Sequence, residues 1–188
     1  MEKNTRNTLM LSRIDSYINN VDSKASIGLA FISILIGSFI TCFLPIINKI
    51  TLIELFSVYN DLLISILKII LLSSVLLFLL FCIRSIFYLF LIITPDTNIE
   101  SYKKDVSETN SRFFFYTIAS KSFDDFLKLD DNDEKVITND LQSQIFISSK
   151  ICNRKFINFD KALLSLKISV FLFICVILIS IIYILIKP

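Results

Sequence analysis

Three stretches of this chain carry almost no polar positions. The first runs from Ser26 to Ile47 without a charge, the second lies inside Leu62 to Thr94, and the third runs from Ile168 to Ile186, again without a charge. A helix rises about 1.5 Å per residue, so about 20 residues cross a hydrocarbon core of about 30 Å. Each stretch is therefore long enough for a transmembrane helix. A buried core helix is the other way to hide such a run, but a soluble domain of 188 residues could not wrap such helices on all sides.

The second stretch is too long for one crossing. It contains Lys68 and Arg84, and a central charge costs roughly 2.5 to 3.5 kcal/mol on insertion scales. The cheapest placement keeps both near interfaces, with the span at about Ser65 to Arg84. "SIFYLFLIIT", residues 85 to 94, then projects as an apolar helix that something must cover, and Pro95 ends it.

The flanking polar stretches keep a helical period. Before the first span, Leu11, Ile14, Tyr17 or Ile18, Val21 and Ala25 fall at alternating steps of three and four. Before the third, Leu141, Ile145, Ser148, Cys152, Phe156, Phe159 and Leu163 do the same. All three spans are thus expected to continue as helices whose apolar seams pack on one another. Between them, residues 112–118 are aromatic and β-branched and read as a short strand or extended segment. Ser122 with Asp125 three residues on forms a capping box. "DDNDE", 130 to 134, reads as an acidic linker.

Composition sharpens the membrane reading. Hydrophobic residues make up 54% and the mean hydropathy is +0.71, too apolar for an ordinary soluble domain of this length. From Ala25 to Ile92 the only charges are Lys49, Glu54, Asp61, Lys68 and Arg84. Lys3, Arg6, Arg13 and Lys24 precede the first span, and eleven Lys and Arg lie between Pro95 and Lys167. The positive-inside rule then places the N-terminus and the long segment in the cytoplasm and the C-terminus outside. The first run exceeds the length of a signal-peptide core and no small-residue cleavage motif follows it. With no histidine in the chain, His-based acid/base chemistry is absent, and four cysteines without a CxxC pattern imply neither a disulfide framework nor a metal site.

The expected fold is mainly α: an integral membrane protein whose three transmembrane helices extend into a cytoplasmic helical bundle. Its expected parts are an N-terminal cytoplasmic helix (1–25), a first span (26–47), an extracytoplasmic loop (48–64), a second span with its extension (65–94), a cytoplasmic sensor segment (95–162) and a third span (163–186).

The order of these pieces resembles the small transmembrane effectors of Pycsar, a bacterial anti-phage system signalled by cyclic pyrimidine nucleotides. "RIDSYINNVDSKAS" leads into the first span through D-x-K-A, and the second long hydrophobic helix ends at a proline. "FFFYTIASKSFDDFLKL" is similar to the family's aromatic, Ile-Ala, then acidic-aromatic stretch, and "DLQSQIFISSKICNRKFINFDKAL" to its Q-I, K-[FY], A helix. The glycine usual after the aromatic pair is absent; Phe115 or Tyr116 stands there. The resemblance implies a receptor in the bacterial inner membrane rather than an enzyme. It would bind cyclic UMP or cyclic CMP made by a partner cyclase, assemble with other copies, and impair the membrane so that the host dies before the phage matures. No cofactor, metal or nucleic acid is expected.

A pocket for such a ligand needs a cation for the phosphate and an aromatic face for the base. Arg112 beside Phe114, together with Lys121, Lys150 and Arg154, supplies these types. Basic residues near the inner leaflet also touch anionic lipid, and for Lys155, Lys161 and Lys167 that role is favoured. At the membrane edge, Asp22, Lys24 and Arg84 are candidate coupling residues. Lys24 reaches the interface while Asp22 is either solvated or paired with a cation such as Arg84 or Arg154. Ser33 and Gly37 make a small-xxx-small step that would allow close helix approach within or between subunits. A ligand-independent holin-like pore would share the spans, but would kill on expression alone.

Overall fold

The longest runs of helical periodicity become unbroken helices. The computed structural model describes residues 2–49, 62–95, 118–119, 121–127 and 134–186. It contains α1 (Glu2–Lys49), α2 (Leu62–Ile93), α3 (Phe123–Leu127) and α4 (Glu134–Ile186). Every regular element among the described residues is helical. The short strand expected over 112–118 falls almost wholly outside them, and its last residue, Ile118, is helical. The acidic linker ends a residue early, because Glu134 opens α4, where a carboxylate faces the positive end of the helix dipole. Pro95 stops α2 as expected, the helix ending at Ile93.

The chain divides into two compact units. One comprises Met1–Ser23 with Thr94–Ile157, the other Lys24–Ile93 with Asn158–Pro188. The helices α1 and α4 each pass from one unit to the other without a break in the helix. Three helices, α1, α2 and α4, are long and apolar enough to cross a membrane.

The second unit holds these apolar lengths. On α2 the buried residues Ile64, Leu71, Phe78, Ser85 and Ile92 recur every seven positions, with Lys68, Cys82 and Leu89 buried between them. Ala162, Ser169, Val176 and Tyr183 repeat the same step on α4. Such a 3.5-residue period is that of left-handed helix packing. At mid-height each helix contributes a phenylalanine: the Phe78 ring centroid lies 4.6 Å from that of Phe39 and 6.0 Å from that of Phe173. Lipid is as apolar as these side chains, so dispersion and close approach rather than water exclusion hold the helices together.

Small residues permit that approach. Ser165, Ser169 and Ser180 are buried, and each hydroxyl donates to the carbonyl four residues back. Ser85 donates across to the Ala162 carbonyl at 3.0 Å. A Cβ placed on Gly28 would lie 3.2 Å from Leu89 Cδ2, whereas Gly37 has open space beside it and Ser33 is exposed. Gly28, not the Ser33/Gly37 step, therefore marks the tight contact within the subunit.

Lys68 is buried on the Ile64–Leu71 face of α2. The 85–93 extension is covered only along its seam at Ser85, Leu89 and Ile92; Phe87, Phe90 and Leu91 stay exposed.

Candidate functional site

The first unit has an interior of different chemistry. Among its described residues, Asn7, Thr138, Asp140, Gln144 and Lys155 are buried, against only Val21 and Leu141 from the apolar set. Thr138 Oγ1 stands 2.6 Å from Asn4 Oδ1 and 2.7 Å from the Glu134 carbonyl, tying the start of α4 to the start of α1. Buried polar groups of this kind are costly unless satisfied, so they fix register more than they add stability.

The charged pair sits near the end of this unit. Lys155 Nζ donates to both carboxylate oxygens of Asp22, at 2.6 and 2.7 Å. The lysine side chain is 9% exposed and the aspartate 33%. A cation at this depth is tolerated because its stem packs as an apolar rod and its head meets a carboxylate. The seam of α4 thus runs through Lys155, and Phe156, the residue that apolarity favoured, is exposed. Lys155 is correspondingly not a lipid-facing residue. Burial pushes the neighbouring Cys152 thiol above its ordinary pKa, partly offset by the charge of Lys155.

An open recess of about 510 Å³ lies along α1, lined among the described residues by Thr8, Leu11, Ser12, Asp15, Ser16 and Asn19. These positions share one helix face, because steps of three and four return to the same side. The face is rich in hydroxyl, amide and carboxylate groups. Elsewhere in the unit, Ser122 and Asp125 form the capping box at the start of α3, with Ser122 Oγ 2.6 Å from Asp125 Oδ2 and accepting the Asp125 N–H at 3.2 Å. Just before it, Lys121 has its Nζ shut off from solvent with no hydrogen-bond partner among the described residues.

Arg112 and Phe114 lie outside the described residues. Lys150 and Arg154 are exposed on α4, the Lys150 ammonium 4.6 Å from the Phe146 ring centroid. Lys24 is exposed at the first position of the second unit. Arg84 belongs to the second unit, exposed, its guanidinium 5.8 Å from the Tyr88 ring centroid. Sequence reasoning missed the Asn4–Thr138 bond, buried Asp140 and the inward turn of Lys155. Only the last had a signal: Lys155 is seven residues before Ala162 and fourteen after Leu141, in a heptad register that the more apolar Phe156 obscured.

Three helices long and apolar enough to cross a membrane define a membrane protein. The model of the Pycsar effector protein domain matches residues 8–183. The chain is also 35% identical over 161 residues to the Pycsar effector protein GmPycTM of Gulbenkiania mobilis, covering 80% of this chain and 79% of that one. No solved structure matches significantly. The chain belongs to the Pycsar effector family and is a membrane effector of anti-phage defence.

Proposed function

We propose that this effector is a ligand-gated, non-enzymatic disruptor of the bacterial inner membrane. Its N-terminus and polar unit face the cytoplasm. A cyclic mononucleotide, cyclic UMP or cyclic CMP, made by a partner cyclase after infection, binds the polar unit. The membrane unit then assembles with other copies and breaches the bilayer.

The recess on α1 carries this reading. Its volume of about 510 Å³ falls in the range of small-ligand sites. Asp15 and Asn19 offer acceptors and donors for a pyrimidine edge, and Thr8, Ser12 and Ser16 for ribose or phosphate oxygens. Elsewhere in the polar unit, Lys121 holds a shielded ammonium lacking an acceptor among the described residues, a deficit that a ligand phosphate would relieve. Arg112, Phe114, Lys150 and Arg154 remain candidate contacts. Transmission to the spans is supported by α1 and α4, each one helix through both units. Assembly is supported by the exposed Ser33 and the open space beside Gly37.

Calorimetry of the detergent-purified full chain tests ligand binding. Cyclic UMP or cyclic CMP should bind, cyclic AMP and cyclic dinucleotides should not, and Asp15→Ala should weaken binding at least about tenfold, the worth of one or two lost hydrogen bonds. Binding of none of them, together with killing on expression without a cyclase, would support the ligand-independent pore instead.

A further inference from the structure

We propose that Arg84, Tyr88 and Lys161 form a site for the phosphate of an anionic glycerophospholipid on the flank of the membrane unit. The inference rests on the membrane reading alone and is independent of the nucleotide ligand.

One aromatic ring gathers two cations from two helices. The Arg84 guanidinium of α2 stands 5.8 Å, and the Lys161 ammonium of α4 5.6 Å, from the centroid of Tyr88. Both cations are exposed, and neither forms a salt bridge with a carboxylate among the described residues. Two like charges on one ring, at most about 11 Å apart by these two distances, repel, and both long side chains give up rotamer freedom. An anion between them would remove the repulsion and use the arrangement. A phosphate suits it: the guanidinium fork binds two oxygens and the ammonium a third.

The backbone beneath the site is fixed. Ser85 and Ala162, next in sequence to the two cations, are buried and joined by the hydrogen bond from Ser85 Oγ to the Ala162 carbonyl. The surroundings are those of a lipid and not of a soluble anion. Ile83, Phe87 and Leu164 are 64%, 59% and 58% exposed beside the cations. The Phe87 ring meets Tyr88 edge-on at 5.7 Å.

Depth agrees with this assignment. Lys161 precedes the charge-free run that starts at Ile168 by about 10 Å of helix. The headgroup layer extends roughly 5 to 8 Å beyond the hydrocarbon core, and a lysine reaches several ångströms back toward it. Tyrosine is at home at that level. Acyl chains would then lie along the exposed apolar face and the phosphate would stand between the two cations.

Native mass spectrometry of the full chain, offered equal amounts of phosphatidylglycerol and phosphatidylcholine with the same acyl chains, tests the site. The wild-type chain should retain phosphatidylglycerol preferentially. Each cation near the surface contributes about fivefold, so Arg84→Gln/Lys161→Gln should reduce that preference about thirtyfold. Arg13→Gln, which removes an exposed charge from the polar unit's length of α1, should change it no more than about twofold. Should the double variant fail to fold, the single exposed substitution Lys161→Gln should lose about fivefold and Lys161→Arg should retain binding. Parallel titrations with inorganic phosphate and with cyclic UMP should leave the phosphatidylglycerol adduct in place. An unchanged preference in Lys161→Gln and in the double variant, no preference in the wild-type chain, or displacement of the lipid by either soluble anion would overturn the proposal.

Discussion

Lys155 occupies a position that a hydrophobic side chain could fill, and Asp22 is what makes it tolerable. Removing only the acid leaves a buried ammonium without its counter-charge. The Asp22→Ala variant should therefore lose about 2–3 kcal/mol of stability, discounted from a fully buried pair because the aspartate is 33% exposed. Replacing both partners, as Asp22→Ala/Lys155→Met, should return to within about 1 kcal/mol of the parent, since an apolar pair of similar volume needs no compensation. Thermal unfolding of the four proteins of this cycle in one detergent decides the matter. Purely additive losses would mean that the pair is incidental. The glycines give a second contrast. Gly28→Val drives methyls into Leu89, where even a Cβ would stand 3.2 Å away, and should cost about 1–3 kcal/mol by overpacking. Gly37→Val meets open space and should leave the unfolding temperature nearly unchanged.

At the scale of elements, the three long helices end differently. Pro95 terminates α2 just past Ile93, while α1 and α4 stay helical for 48 and 53 residues. In lipid an unpaired backbone group has no water to turn to, which favours intact helices through the spans. Continuity beyond them is a property of the polar sequence. A proline at Asn158, where α4 enters the second unit, would delete one backbone hydrogen bond and clash with the preceding turn, at about 3 kcal/mol. Cells carrying Asn158→Pro should insert the protein but lose the killing response to the cyclase product. Thr94→Pro, placed where α2 has already stopped, should retain it. Viability counts beside membrane fractionation would show this, and a full response from Asn158→Pro would mean that helix integrity there is irrelevant.

At the scale of the whole molecule, periodicity and charge made the helices legible, and contact chemistry was hidden. The seam of Leu11, Ile14, Ile18, Val21 and Ala25 faces inward as its spacing requires, each of these residues being buried or half-buried. The capping box at Ser122 and the stop at Pro95 follow from local chemistry. Lys155 was misplaced because hydropathy assigns a lysine to the outside, whereas a long stem with a satisfied head can lie within a seam. The Arg84, Tyr88 and Lys161 cluster joins residues far apart in sequence, and no spacing rule relates them. The predicted nucleotide contacts Arg112 and Phe114 lie outside the described residues.

The central claim is that α1 and α4 are each one uninterrupted helix from the polar unit into the membrane. Hydrogen exchange of the full chain in lipid nanodiscs, read at the amides of residues 20–28 and 154–162, measures this directly. Helix continuity predicts slow exchange at every amide through both junctions, comparable with the helix on either side. Rapid exchange confined to those two windows, between protected flanks, would contradict it.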